Sequence, residues 1–301
     1  MPPSRTLPPP YAGSTDTITH TKTVAELMRS RRHELTTAEL RIMQAILRDY
    51  PAAGLQSVAA FAGDAGVSPP TVVRFTAKLG FPTHAQFQAQ LRAEVSARSA
   101  GPAQLYATTD HTKPGTTVLH RCEQQIGCAV IDTLHTADDV DFARAVNLTA
   151  DPSRPVLITG GRVSAALALY LATSLQMLRP GVRYLEPQQG ARTAALLDLT
   201  HKYTVVTFDY RRYERDTVRF GTKAAGQGGK IVLFTDTYLS PLARDASAVV
   251  ATSVDGPGPL ACLTPAFAMI DALLVAASER DTGKGQRRLT QYDDLSHDTV
   301  N

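Results

Sequence analysis

The chain has 301 residues, of which 43% are hydrophobic, and its formal net charge is +3. This length and composition are typical of a soluble protein with two domains. Three cysteines without a CxxC pair argue against a secreted, disulfide-stabilised scaffold. The sequence also contains neither a long uninterrupted apolar segment nor a signal-peptide pattern. We therefore expect a cytoplasmic protein that does not contact the membrane.

Composition divides the N-terminal third of the chain in two. Residues 1–22 are rich in proline and poor in apolar residues, which predicts a disordered tail. Residues 23–98 show helical periodicity broken by short turn signals, which predicts a small all-α domain. The net charge is +4 over residues 1–100 and −1 over residues 101–301. This asymmetry favours a phosphate-bearing partner for the N-terminal part.

The remaining two thirds of the chain alternate between helical and β-rich patterns. Residues 99–117 contain Gly, Pro and Thr and predict a linker, whereas residues 281–301 form a predicted C-terminal tail. Between them, residues 118–280 predict an α/β domain with a doubly wound parallel sheet, because short strands are separated by helix-length segments. The five predicted strands cover residues 155–159, 182–185, 204–208, 230–234 and 247–252.

The segment GLQSVAAFAGDAGVSPPTVVRFTAKLGF predicts a helix-turn-helix. Ser57 is a suitable N-cap for a short first helix, and Gly66 can adopt the left-handed conformation that a tight turn requires. Ser68 is the expected N-cap of the second helix, whose first turn contains two prolines. Two short helices joined by such a turn form the motif that inserts its second helix into the DNA major groove.

Spacing assigns the faces of the second helix. Val72, Phe75 and Leu79 recur at helical intervals and are expected to pack inward. The alternative is a helical hairpin whose Arg and Lys residues are only solvated. On the DNA-binding hypothesis, four residues lie near the base edges and one contacts the phosphate backbone. These are Ser68, Pro70, Thr71 and Arg74 near the groove and Lys78 on the backbone.

The segments LTTAELRIMQAILRDYP and SVAAFAGDAGVSPPTVVRFTAKLGFPTHAQFQAQLRAEV closely resemble the DNA-binding domain of the RpiR/MurR family of bacterial transcriptional regulators. The resemblance covers roughly residues 23–98. It implies that the second half is a sugar-isomerase-type (SIS) domain, a doubly wound sheet with flavodoxin-like strand order that usually binds phosphosugars. The helices AALALYLATSLQMLR and TPAFAMIDALLVAAS carry more apolar surface than one face of a sheet needs, which predicts a homodimer or homotetramer, and the resemblance points the same way.

In SIS domains the first and third strands flank the ligand site at the carboxyl end of the sheet. The usual first exit reads Gly-x-Gly-x-Ser, and the usual third exit reads Ser-x-Ser-Gly-x-Thr. In this sequence arginine replaces the second glycine of the first exit, and charged residues replace the hydroxyl cradle of the third. The matching positions are Gly160, Arg162 and Ser164 at the first exit and Asp209, Arg211, Arg212 and Glu214 at the third.

Two interpretations of these charges are open. Arg162 with Arg211 or Arg212 could clamp a small carboxylate or phosphate, since a guanidinium offers a planar fork of donors to either anion. Alternatively, Arg211 and Arg212 pair with Asp209 and Glu214, and the loop binds nothing.

The resulting functional hypothesis is a transcriptional regulator that binds operator DNA and senses a small anionic effector. The alternative is a sugar-phosphate isomerase, or another SIS enzyme, with an accessory DNA-binding domain. Glu186 and Glu214 are conceivable bases, but no catalytic residue is assigned. The eight histidines are scattered, and Cys122 and Cys128 fall on different faces of a helix. The sequence therefore predicts no metal site and no cofactor.

Overall fold

A helical region is followed by an α/β region, as the sequence pattern predicts. The predicted tail lies, up to residue 21, outside the residues that this computed structural model describes. The described residues are 22–99, 101–108, 117–280 and 283–297.

Side-chain caps fix the starts of the N-terminal helices. Thr23 and Glu26 form a capping box, in which each side chain bonds the other residue's backbone N–H. A second capping box starts the next helix, and the Ser57 hydroxyl accepts a hydrogen bond from Ala60 N at the start of the third. The five helices of this region are α1 (Val24–Ser30), α2 (Thr37–Arg48), α3 (Val58–Ala65), α4 (Pro69–Lys78) and α5 (His84–Ser99).

Helices α3 and α4 form the predicted helix-turn-helix. Gly66 ends α3 with φ 63°, so the expected left-handed turn is confirmed. Ser68 occupies the N-cap position of α4, but its hydroxyl bonds the Thr71 hydroxyl at 2.8 Å and caps no backbone N–H. The reason is local. The two prolines at the start of α4 have no N–H to offer, and Thr71 N donates to the Ser68 carbonyl instead.

The inward face of α4 is the one that spacing predicts. Val72 and Phe75 are fully buried, and Leu79 is 2% exposed. They share one core with Ile42 of α2 and Phe61 of α3. Burial of these side chains, each contributing about 1.5–3 kcal/mol, fixes which face of α4 remains available to a partner.

The α/β region contains one parallel sheet of strand order β2-β1-β3-β4-β5, which confirms the doubly wound, flavodoxin-like prediction. Each strand lies within two residues of the run predicted for it. The strands are β1 (Val156–Gly160), β2 (Val182–Tyr184), β3 (Thr204–Phe208), β4 (Lys230–Asp236) and β5 (Ala248–Thr252).

Helices cover both faces of the sheet. Alternate strand residues such as Ile158 and Val206 join a core with α8, α9 and α12, whereas Leu157 and Val205 pack against α10 and α11 on the opposite face. The chain therefore leaves the adjacent strands β1 and β3 toward opposite faces, which creates a crevice at their carboxyl ends. The helices are α7 (Val118–Thr136), α8 (Asp139–Ala150), α9 (Ala165–Leu178), α10 (Gln189–Asp198), α11 (Arg215–Gly226) and α12 (Thr264–Glu279).

Two further helices lie where the sequence predicts a linker and a tail. Helix α6 (Pro102–Thr108) occupies part of the predicted linker, of which residues 109–116 lie outside the described part of the chain. Helix α13 (Lys284–His297) occupies the predicted tail and packs on α9, where Arg288 Nε donates to the Gln176 carbonyl at 2.7 Å. Among the described residues, none of the helices is long and apolar enough to cross a membrane.

The helical region packs directly on the α/β region. Leu239, in the loop after β4, is 1% exposed and belongs to the core of the helical region. The Thr23 hydroxyl donates to the Thr237 carbonyl at 3.3 Å, and Arg32 Nη1 lies 2.8 Å from an Asp138 carboxylate oxygen. The loop that follows β4 therefore packs against the helical region that contains the DNA-binding motif.

Candidate DNA-binding helix and strand-exit site

The predicted DNA-facing residues lie along one side of α4, with one exception. Ser68, Pro70 and Arg74 are exposed and Thr71 is half-buried. All four come from the first two turns of the helix, which are the part of a recognition helix that approaches base edges. These positions keep their predicted role as a hypothesis for mutagenesis.

The ammonium group of Lys78, the predicted phosphate contact, is bonded within the helical region. Its ammonium group bonds a Glu39 carboxylate oxygen at 3.1 Å and also donates to the Glu34 carbonyl. Because Glu39 also belongs to the capping box of α2, Lys78 braces the end of α4 against α2. Helical spacing gives the face of a residue, but it does not reveal a partner thirty-nine positions away.

Sequence reasoning missed Arg41, a second cation beside the motif. Arg41 is exposed on α2, and its Nη1 donates to the Gly66 carbonyl at 3.2 Å, next to the turn between α3 and α4. This position is suited to a phosphate contact at the edge of the recognition helix. The sequence feature that could have identified Arg41 was its position on the solvent-facing side of the amphipathic helix α2.

At the first strand exit, Gly160 and Ser164 shape the loop. A Cβ on Gly160 would lie 2.6 Å from the Ser164 carbonyl oxygen, so only glycine fits there. The Ser164 hydroxyl accepts from Gly161 N and donates to the Phe208 carbonyl, both at 2.8 Å. The hydroxyl thus ties the end of β1 to the end of β3.

The loop between β1 and α9 already holds an anion, which is the carboxylate of Glu214. Glu214 Oε1 accepts from Arg162 N at 2.9 Å and from Arg162 Nε at 3.1 Å. A Cβ placed on Gly161 would lie 3.0–3.2 Å from the same carboxylate. The contact lies just before the N-terminus of α9, where backbone N–H groups and the helix dipole favour negative charge.

Asp209 is buried at the third strand exit. It is 1% exposed and accepts hydrogen bonds from the Ser240 hydroxyl and from Glu214 N. Burial raises the pKa of Asp209 to about 7, with the neighbouring Asp236 and Glu214 carboxylates adding to the shift. Its two carboxylate oxygens are thus engaged within the protein.

Arg211 faces a different set of carboxylates from Arg162. Arg211 Nε lies 4.0 Å from Asp236, its Nη2 lies 3.7 Å from Asp255, and its guanidinium stacks 4.4 Å from the Tyr238 ring centroid. Asp236 is fully buried, and burial raises its pKa. Each guanidinium therefore holds its own carboxylate, and a shared anion between Arg162 and Arg211 stays a prediction.

Arg212 is exposed and lies beside Gly101. Among the described residues, no ion pair joins Arg211 or Arg212 to Asp209 or Glu214, so the pairs of the ion-paired-loop interpretation are not formed. The seven predicted residues do meet at one end of the sheet. Gly160, Ser164 and Asp209 shape its backbone, and Arg162 with Glu214 forms its exposed ion pair.

A buried arginine that the sequence did not single out completes the site. Arg192 of α10 is 5% exposed, and its Nη2 donates to the Gly160 carbonyl at 2.8 Å and to the Thr217 hydroxyl at 3.1 Å. Its Nε has no hydrogen-bond partner. Burial lowers the pKa of Arg192, while the nearby carboxylates, Glu214 foremost, oppose the shift. The only sequence feature that could have indicated a role for Arg192 was its place as a charged residue in the apolar segment ARTAALLDL.

Tyr213 connects this site to the helical region. Its hydroxyl donates to Asp236 at 2.7 Å, and its backbone has φ 35°, a value that non-glycine residues seldom adopt. The guanidinium of Arg98, near the end of α5, lies 4.7 Å from the centroid of its ring. The loop that presents Glu214 thus also contacts the last helix of the DNA-binding region.

Comparison with known proteins supports both halves of this architecture. Residues 22–98 match the helix-turn-helix domain of the rpiR family, and residues 152–276 match the SIS domain. Among curated proteins, none matches this sequence.

Two solved structures are similar to this chain. The sugar isomerase domain of an RpiR transcription factor from Sphaerobacter thermophilus is 26% identical, covers 55% of this chain and 92% of its own, and has a TM-score of 0.51. The NanR protein of Vibrio vulnificus, solved with ManNAc-6P, is 16% identical, covers 90% of this chain and 97% of its own, and has a TM-score of 0.49.

The fold and the two domain matches define a transcription regulator with a DNA-binding helix-turn-helix and a sugar-isomerase-type second domain. Its N-terminal region matches the helix-turn-helix domain of the rpiR family and its second region matches a SIS domain, which is the combination that the sequence resemblance implies.

Proposed function

We propose that this regulator senses a small anionic metabolite at the exits of β1 and β3, and that the metabolite changes its affinity for operator DNA. The observation that carries the proposal is the Glu214 carboxylate, bound by the backbone and guanidinium of Arg162. A loop that binds an internal carboxylate has the donors to bind a carboxylate or phosphate from solution.

The effector takes the place of Glu214. The Arg162 side chain is 82% exposed and that of Glu214 is 34% exposed, so the pair is open to solvent. Exposed ion pairs of this kind are weak, typically about 0–1 kcal/mol, and a dianion can replace the single carboxylate. Arg192, whose Nε lacks a partner, adds positive charge beneath the loop.

Displacement of Glu214 reaches the DNA-binding region through the adjacent Tyr213. Glu214 is the N-cap residue of α11 and follows Tyr213, whose ring stacks under Arg98. On the neighbouring loop, Leu239 lies in the core of the helical region. A change in the conformation of residues 209–214 therefore alters the surface against which the helical region, with its helix-turn-helix, packs.

We further propose that the chain is a regulator without isomerase activity. The carboxylate with a pKa near neutrality, Asp209, is buried and bonded to Ser240 and to Glu214 N, so it does not face a substrate. Incubation with a panel of sugar phosphates tests this point. Turnover of about 1 s⁻¹ or faster, the low end of ordinary enzymes, would contradict it.

We also propose self-association through the α/β region. Leu169 on α9 is 51% exposed and Val275 on α12 is 57% exposed, although both lie on helices whose other faces are buried. Covering such side chains favours a homodimer or homotetramer. Light scattering coupled to size exclusion gives the mass directly, and a monomer at micromolar concentration would contradict the proposal.

Thermal unfolding tests effector binding. The panel contains inorganic phosphate, sugar phosphates, dicarboxylates and neutral sugars, each added to the full-length protein. An anion at about 100 times its dissociation constant should stabilise the folded state by roughly 2.7 kcal/mol. The Arg162→Ala variant should lose this gain, whereas the control Arg183→Ala, an exposed arginine on β2, should keep it. Stabilisation by a neutral sugar, or an unchanged response of Arg162→Ala, would refute the anionic site.

A further inference from the structure

We infer that Val73 is a specificity-determining residue, which contacts the 5-methyl group of a thymine in the operator major groove. The inference rests on DNA binding by α4 and goes beyond it by naming a base feature that the protein reads.

The starting observation is an exposed valine in the middle of the recognition helix. Val73 is 44% exposed, while the adjacent Val72 is fully buried. Thr76, the polar residue one turn further on, is 1% exposed and donates its hydroxyl to the Val73 carbonyl. The helix thus turns a hydroxyl inward and a hydrocarbon outward, the reverse of what a merely solvated face would favour.

The neighbours of Val73 permit close approach to DNA. Pro70 and Ala77, one turn before and after it, are both exposed and short. Arg74, the next residue, is exposed on the same side and can reach farther than the valine. Because the flanking turns carry no long side chain, α4 can enter the major groove deeply enough for Val73 to contact a base.

The chemistry of the groove specifies the contact. In the major groove, the thymine methyl is the apolar feature that a hydrocarbon side chain can recognise, whereas arginine pairs with guanine. The surroundings favour a phosphate-bearing partner over an apolar protein surface, because Arg41 stands beside the turn and residues 1–100 carry a net charge of +4. A thymine next to the base that Arg74 contacts is the expected arrangement.

Replacing thymine by uracil tests the inference, since it removes the methyl group and keeps the hydrogen-bonding edge. The full-length protein first selects a duplex from a randomised library. Fluorescence anisotropy then measures its affinity for that duplex and for versions with single thymine-to-uracil changes. At one thymine or more per half-site, uracil should weaken wild-type binding about fourfold, the value of one buried methyl group.

The Val73→Ala variant should bind the thymine and uracil versions of that site with affinities within about 1.5-fold of each other, because the side chain that touches the methyl is gone. Val95→Ala is the matched control, since Val95 is 41% exposed but lies on α5. It should keep the full thymine preference. Circular dichroism verifies that both variants are folded.

The possible outcomes distinguish the thymine contact of Val73 from the sequence-specific DNA binding on which it depends. Selection of a duplex whose affinity ignores every thymine methyl would overturn the inference alone, as would a Val73→Ala protein that retains the wild-type preference. Failure to select any duplex would overturn sequence-specific DNA binding itself, and the inference with it.

Discussion

The recognition helix and the strand-exit site differ in how the chain builds them. The exposed face of α4 comes from residues within eleven positions, from Ser68 to Lys78. The contacts of the strand-exit site join residues far apart in sequence. Arg162 meets Glu214 across 52 positions, and Arg192 meets Gly160 across 32. Local periodicity therefore defines the first site, whereas tertiary packing defines the second.

The two sites also differ in how their charges are used. On α4 the Arg74 side chain is exposed and available to DNA. At the strand exits, Arg162 and Arg211 hold carboxylates of the same chain. Mutations on α4 should therefore act on binding with little effect on stability. Mutations at the strand exits should act on stability and on effector affinity together.

The largest expected effect concerns the buried charge of Asp209. The ordinary pKa of its carboxyl is 3.8, and burial raises it to about 7. The folded state therefore binds the proton more tightly than the unfolded chain does. This contribution to stability is fully present below about pH 4 and is lost as the pH rises through about 7.

The Asp209→Asn variant removes this proton uptake. Its free energy of unfolding should gain roughly 2–4 kcal/mol relative to wild type as the pH rises from about 4 to 8. Urea unfolding at a series of pH values measures the difference. Parallel curves for the two proteins would show that folding does not raise the pKa of Asp209, contrary to its burial beside Ser240 and Asp236.

The next effect concerns Arg74 on the exposed face of α4. Arg74→Ala should weaken binding to a selected duplex by about 10- to 100-fold, the loss of one bidentate arginine–base contact of about 1–3 kcal/mol. Thermal stability should stay unchanged, because the side chain is exposed. Anisotropy at fixed salt provides the measurement. If Arg183→Ala on β2 weakens binding equally, the recognition-helix assignment is wrong.

A smaller effect is expected at Glu214. Glu214→Ala empties the loop at Arg162, so an anion no longer competes with an internal carboxylate. The apparent dissociation constant of the best-binding anion should fall by about three- to tenfold, because every molecule then has the Arg162 loop free to bind the anion. Calorimetric titration measures it, with Glu186→Gln as an exposed control. A loss of affinity would instead make Glu214 an effector ligand.

The smallest expected effect concerns Arg98, which links the two sites. Arg98→Ala removes the guanidinium above Tyr213 and its 3.1 Å bond to the Tyr50 carbonyl. Operator affinity without effector should change less than about threefold, and the influence of the anion on it should shrink by a coupling of about 1 kcal/mol. Anisotropy with and without the anion tests this. An unchanged influence would show that the coupling runs elsewhere.

The fold followed from the sequence because its signals are local. Five β-rich runs separated by helix-length segments predicted the sheet, and the capping residue Ser57 with the turn residue Gly66 predicted the helix-turn-helix. Partners across the fold were beyond this reasoning. The pattern placed Lys78 on a cationic face, yet its ammonium is held by Glu39.

The strand-exit site was predicted in position but not in its pairing. The location of the site, at the segments that follow β1 and β3, can be predicted from the topology of a doubly wound sheet. The pairing of Arg211 with Asp236 depends on the register of β3 beside β4, which only the folded sheet defines. Arg192 escaped notice because it comes from α10, whose sequence contains no ligand-binding motif.

The most direct test of the account measures operator affinity of the wild-type protein with and without the anion that stabilises it most. We expect the anion to change the dissociation constant of the operator by at least about fivefold, the lower range of allosteric couplings. We also expect Arg162→Ala to abolish this change while still binding the operator, because Arg162 belongs to the proposed anion site and lies outside the DNA-binding helices. An anion that binds the protein yet leaves operator affinity unaltered would contradict the account.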